Sequence, residues 1–106
     1  MTPEEIIYLR MFSYGFWEGE EVQVDEELCE KEPILKPYIG KVGIIKETYT
    51  KFHAWAQGSV MGCIVDFNGE EVRTMCLYLR NSDRVLEAIK KSGYIVNKKG
   101  DLEKIN

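Results

Sequence analysis

The chain has one histidine, His53, and only three cysteines, Cys29, Cys63 and Cys76. On paper His53, Cys63 and Asp66 assemble into a base and a nucleophile. Such sites are recognised by geometry rather than by inventory. No cysteine sits at a turn signature that exposes a nucleophile, and Cys63 falls in the middle of a strand-like run. No catalytic residue is assigned, and an enzyme is not expected. The same four side chains make potential zinc ligands, but no C-x₂₋₄-C pair is present to nucleate a structural site. Gly40-Lys41-Val42-Gly43 is too short for a phosphate loop and lacks its Lys-Ser/Thr ending. No metal or other cofactor is expected. An odd, widely spaced set of cysteines also differs from the four or more of a small secreted disulfide scaffold. All three read as reduced thiols.

Long apolar runs are missing too, and nothing approaches the ~20 residues of a membrane span. The stretch Met1-Thr2-Pro3-Glu4-Glu5 is acidic and lacks the basic region and apolar core of a signal peptide. A cytoplasmic location with no membrane partner is expected. There is no internal repeat, low-complexity tract or interdomain linker, so the 106 residues read as one domain. With 44% apolar and 30% charged residues the composition is globular rather than disordered. At this size folding hides roughly 60 to 70% of the unfolded surface, enough for a core without staples. The formal net charge is -4. Acidic side chains concentrate at Glu18, Glu20, Glu21, Asp25, Glu26, Glu27, Glu30 and Glu32, which works against non-specific phosphate binding.

What is present is patterned. Thr2 as a cap, Pro3 at the first helical position and Glu5 closing a capping box predict a helix over 1–15. Ile6, Ile7, Leu9, Met11 and Tyr14 give it an apolar face, and Gly15 stops it. A turn from Trp17 leads to a short strand with Val22 and Val24 on one face. Residues 25–37, acidic and holding Pro33 and Pro37, suit a long loop. The sheet resumes at Tyr38 and runs to Lys46, with Gly40 and Gly43 marking a bulge or tight bend.

The segment Thr48 to Ser59 reads either as a polar excursion or as a strand entering a hairpin whose loop ends near Gln57-Gly58. Val60 to Phe67 is the clearest strand, with Met61, Cys63, Val65 and Phe67 on one face. Asn68-Gly69 predicts a type I′ turn, and Val72 to Leu79 the returning strand. Asn81-Ser82-Asp83 caps a helix over 82–92, with Val85, Leu86 and Ile89 as a buried stripe and Gly93 as its stop. Tyr94-Ile95-Val96 and Leu102-Glu103-Lys104-Ile105 flank a turn and predict a terminal β-hairpin over 94–105.

The middle of the chain resembles small SH3-like barrels, including the KOW-type barrels, over residues 19–80. A V-x-V strand, Val22-Gln23-Val24, precedes a G-x-V-G-x-I strand, Gly40-Lys41-Val42-Gly43-Ile44-Ile45. Ile64-Val65-Asp66-Phe67 then leads to a short strand ending at Leu79. The expected fold class is α+β, mainly β: a small SH3-like antiparallel barrel with an N-terminal helix, a C-terminal helix and a terminal hairpin. The resemblance implies a binding module rather than a catalyst. KOW-type barrels contact nucleic acid or ribonucleoprotein partners, whereas other SH3-like barrels bind peptides through aromatic grooves. In this chain the loop after the first strand is acidic, Asp25-Glu26-Glu27-Leu28-Cys29-Glu30, where phosphate contact needs basic residues.

Two candidate surfaces follow. The first is aromatic: Trp17, Tyr38, Tyr49, Phe52 and Trp55, with His53 among them and Tyr78 nearby in pattern. Trp and Tyr bring contact area at low entropy cost. The second is basic: Arg73, Arg80, Arg84, Lys90, Lys91, Lys98 and Lys99, diluted by Asp83, Glu87 and Asp101. The leading expectation is a small non-catalytic protein–protein interaction module, an inhibitor or accessory factor. Its contacts would be Trp17, Tyr38, Tyr49, Phe52, His53 and Trp55, and its acidic half would steer it toward a basic partner. The alternative is a KOW-like RNA, DNA or ribonucleoprotein binder using Arg73, Arg84, Lys90, Lys91, Lys98 and Lys99.

Overall fold

Asn68-Gly69 makes the turn its dipeptide predicts. Asn68 takes φ 54° and Gly69 φ 98°, and the Gly69 amide donates to Asp66 Oδ1 at 2.6 Å. The turn joins β3 (Gly58–Phe67) to β4 (Glu70–Met75), paired antiparallel from Phe67↔Glu70 to Gly62↔Met75. These strands belong to a computed structural model that describes residues 16–53, 58–97 and 100–105. β2 (Gly43–His53) pairs with β3 from Ile44↔Asp66 to His53↔Gly58. The segment read two ways is therefore strand on both sides of residues 54–57. β1 (Glu21–Val24) lies between β2 and β5 (Leu79–Asn81), giving the order β4-β3-β2-β1-β5.

The sheet is open. β4 and β5 are its two edges, so the expected SH3-like barrel is corrected to a five-stranded antiparallel sheet. The strand foreseen from Val72 to Leu79 breaks at a 3-10 turn, Cys76–Tyr78. Only the three residues of β5 remain, and they pair with β1. The core is roofed instead by segments that are not strands. Val22, Val24, Ile45, Cys63, Val65, Phe67 and Leu79 line the sheet's inner face, and Phe16, Leu28, Leu35, Leu77 and Tyr78 are buried in the same cluster. Leu28 and Leu35 come from the stretch foreseen as a loop, where 3-10 turns span Cys29–Lys31 and Pro33–Tyr38.

The sheet resumes at Gly43 rather than Tyr38. Pro33 and Pro37 lack the amide a strand ladder needs, and Gly40 turns the chain at φ 83°. The irregularity expected at Gly40 or Gly43 falls between Ile45 and Glu47. Gly43 answers to packing: a Cβ there would stand 2.5 Å from Val65 Cγ1. Thr74 faces Cys63 on the inner side, and its buried hydroxyl has no hydrogen-bond partner among the described residues. Thr74→Val keeps the shape and removes an unpaired polar atom. It should raise stability by about 1 kcal/mol, read as a higher urea midpoint at unchanged m-value.

After β5, Ser82 Oγ accepts from the Val85 amide at 3.3 Å and starts helix α1 (Asp83–Lys91). Gly93, at φ 89°, ends it. The foreseen buried stripe is not buried: Val85, Leu86 and Ile89 are half-exposed, and no α1 residue is fully covered. β6 (Tyr94–Val96) and β7 (Leu102–Lys104) form the terminal hairpin, a separate two-stranded sheet beside α1. The helix expected over 1–15 lies outside the described residues.

Candidate functional site

Trp17 is 80% exposed, the most exposed large apolar side chain among the described residues. Its backbone is nonetheless fixed. The Glu20 amide donates to Trp17 O at 3.1 Å, closing a turn. That turn is tied to β2, because the Gly19 amide donates to Ile45 O at 2.8 Å and the Ile45 amide to Glu20 O at 2.9 Å. Phe16, one residue earlier, is buried in the core. The sequence thus anchors one aromatic ring and holds its neighbour in water. Exposed Ile44 adjoins this turn, since it pairs with Glu21 at the start of β1, whereas exposed Ile39 and Val42 precede β2 and run the other way along the antiparallel pair. Ile44 points outward because Ile45, its strand neighbour, points into the core. Glu18, in the same turn, is exposed.

The other aromatic candidates do not join it. The Tyr38 ring stacks on Phe67 with centroids 4.7 Å apart. Its hydroxyl donates to Glu70 Oε2 at 2.8 Å, and that bond holds the phenol above its ordinary pKa. Tyr49 lies over Gly62, where a Cβ would stand 2.5 Å from the ring. Arg73 covers the ring at 5.5 Å. Both tyrosines are half-buried structural groups. The side chains of Phe52 and His53, and Trp55 as a whole, lie outside the described residues.

The basic candidates are divided between two places. Arg73 is on edge strand β4, while Arg84 follows the opposite edge strand β5. Four strand spacings, about 19 Å, separate those edges. Arg73 is committed to Tyr49, and Arg84 is ion-paired with Glu21. Lys90 and Lys91 are exposed in the last turn of α1, and Lys98 and Lys99 lie outside the described residues.

The residues assembled on paper into a catalytic set are also dispersed. Cys63 is buried on the inner face, opposite Thr48. His53 is five residues further along the same hairpin, about 17 Å away along the strand. Asp66, an odd number of residues from Cys63, points to the other face, where it accepts from Gly69. Hydrogen bonding to Cys76, reinforced by burial, pushes the Cys63 thiol well above its ordinary pKa. Among the described residues no group of three or more His, Cys, Asp or Glu side chains is arranged to hold a metal ion. All three cysteines are buried free thiols. No helix among the described residues is long and apolar enough to cross a membrane.

Part of the acidic stretch is neutralised internally. Arg84 bonds Glu21 and holds its carboxyl below the usual range. Arg80 does the same for Glu26, at 3.1 Å. A carboxylate with a lowered folded-state pKa stabilises the fold above the unfolded value and stops doing so as pH falls through the folded one. Glu21→Gln should therefore lower the urea midpoint slightly at about pH 7, with the difference from wild type closing as pH falls through the lowered folded-state value. Equal midpoints at neutral pH would show the pair to be idle.

No family model, curated protein or solved structure matches this chain.

Sequence reasoning missed Ile44, having placed it inside a barrel strand. One signal was available. Ile44 and Ile45 are adjacent, and in a strand covered on one face only one of two neighbours is buried.

Proposed function

We propose that this protein is a non-catalytic protein-binding module whose contact surface centres on Trp17 and includes Ile44 on the adjoining strand. The observation that carries the reading is an 80% exposed tryptophan on a backbone already ordered by three hydrogen bonds. A pre-ordered tryptophan offers contact area without an ordering cost on binding. Exposed Ile44 extends that area, and exposed Glu18 and Glu30 favour approach to a basic partner. Tyr38 is taken up by Phe67 and Glu70, and Tyr49 by Gly62 and Arg73, so neither ring is offered as a contact.

The test is capture of partners by tagged protein from source-cell lysate, split into nuclease-treated and untreated halves. The reading expects a protein recovered equally from both halves. Recovery of RNA or DNA, with proteins lost after nuclease treatment, would sink it.

A further inference from the structure

Cys63 and Cys76 are fully buried free thiols of one core cluster. Cys63 opposes Thr74 across the β3–β4 ladder. Cys76 follows Thr74 by two residues with extended Met75 between them, so all three share the inner face. The two sulfurs are joined by a hydrogen bond. In a regular ladder such diagonal neighbours have Cα atoms about 7–8 Å apart, just beyond the roughly 4.4–6.8 Å of a disulfide. The chain leaves the strand at Cys76 for the 3-10 turn Cys76–Tyr78. A small shift at the head of that turn closes the gap while the ladder keeps its register.

The pair is not symmetric. The hydrogen bond from Cys63, with another from the Phe16 amide, holds the Cys76 thiol below its ordinary pKa against the effect of burial. The same bond keeps Cys63 protonated. The thiolate is the nucleophilic form of cysteine, so Cys76 is the group prepared to attack. Thr74 adds a third group. Its hydroxyl is buried on the same face, opposite Cys63, and has no hydrogen-bond partner among the described residues. An uncommitted donor there is available to an oxygen that arrives at the sulfurs. Cys29 stands apart. It is 7% exposed against 0% for the pair, and its S–H donates to Glu26 O at 3.3 Å.

We propose that Cys63 and Cys76 are a modification site that a hydroperoxide converts to a reversible disulfide, with Cys76 attacking and Cys63 resolving. Hydrogen peroxide is close to water in size and reaches a buried sulfur from which a bulky disulfide reagent is excluded. The Cys76 thiolate attacks one peroxide oxygen and the O–O bond breaks. The departing hydroxide takes up a proton as water, leaving a sulfenic acid on Cys76. The Cys63 sulfur then attacks Cys76 Sγ and loses its proton, the S–O bond breaks, and hydroxide leaves with that proton as a second water. Two thiols are oxidised to one disulfide and one peroxide is reduced to two waters. A thiol reductant restores the pair by exchange. The bond ties β3 to the turn that leads into β5.

The test exposes the reduced full chain to hydrogen peroxide in native buffer, quenches with N-ethylmaleimide in denaturant and maps the peptides by mass. Exposure alone makes Cys29 the first thiol lost. The proposal expects Cys63 and Cys76 to disappear together, about tenfold faster than Cys29, into one intramolecular disulfide that dithiothreitol reverses. Cys63→Ala should stop the reaction at a Cys76 sulfenic acid, trapped by dimedone. Cys76→Ala should leave Cys63 reduced. The wild-type map decides the matter even where a variant fails to fold. Earlier loss of Cys29, a disulfide that includes Cys29 or joins two chains, or a pair that stays reduced overturns the proposal. So does dimedone labelling of Cys63 in folded Cys76→Ala protein as fast as that of Cys76 in Cys63→Ala.

Discussion

Leu35→Ala should destabilise the protein by about 2–5 kcal/mol, more than an ordinary loop substitution. Leu35 belongs to the Pro33–Tyr38 3-10 turn and is fully buried with Leu28 against the inner face of the sheet. On a closed barrel such a segment would be a decorative connection, and truncating it would cost little. Here the turn packs against β1 and Leu35 is fully buried in the core cluster, so removing three carbons opens a cavity in the core itself. Guanidinium unfolding reads the effect as a lower midpoint at unchanged m-value. Ile34→Ala is the matched control, because Ile34 is 52% exposed on the same turn. It should stay within about 0.5 kcal/mol of wild type. A loss below about 1 kcal/mol for Leu35→Ala would mean that residues 33–38 are not part of the core.

Trp17→Ala should weaken binding to the captured protein partner by about 2 kcal/mol or more, roughly 30-fold in Kd. It should leave stability within about 0.5 kcal/mol. The asymmetry follows from position: the side chain contacts mostly water in the free protein, so its area is available to a partner and contributes little to the fold. Phe16→Ala should behave in the opposite way, since Phe16 is buried. Its removal should cost about 3–5 kcal/mol of stability. Calorimetric titration of the two variants against the same partner separates a contact residue from a fold residue. A Trp17→Ala protein that binds at wild-type affinity removes the proposed surface.

Where the chain obeys local rules, the sequence was a good guide. Asn68-Gly69, the alternation of Cys63, Val65 and Phe67, and the Ser82 cap each depend on residues a few positions apart. All three appear in the structure as foreseen. Closure of the sheet was not legible, because it depends on pairing between distant edges. Cys76-Leu77-Tyr78 is apolar enough to pass for strand, and only tertiary packing shows it as a 3-10 turn. Aromatic residues were likewise visible in number but not in exposure. Tyr38 and Tyr49 count in the composition as Trp17 does, yet a stacking partner covers the first and a glycine platform with Arg73 over it covers part of the second. The apolar stripe of α1 was correctly periodic and wrongly assigned to a core, since periodicity says which side chains share a face and not what covers them.

The most direct test of the central claim places a photo-crosslinking amino acid at Trp17, at Ile44 or at Lys90, one position per protein, in cells of origin. Lys90 is exposed in the last turn of α1, a separate element from the Trp17 turn, and serves as the control position. The account predicts a protein adduct from positions 17 and 44, unchanged by nuclease and absent from position 90. Adducts to nucleic acid, or a protein adduct from position 90 alone, would contradict it.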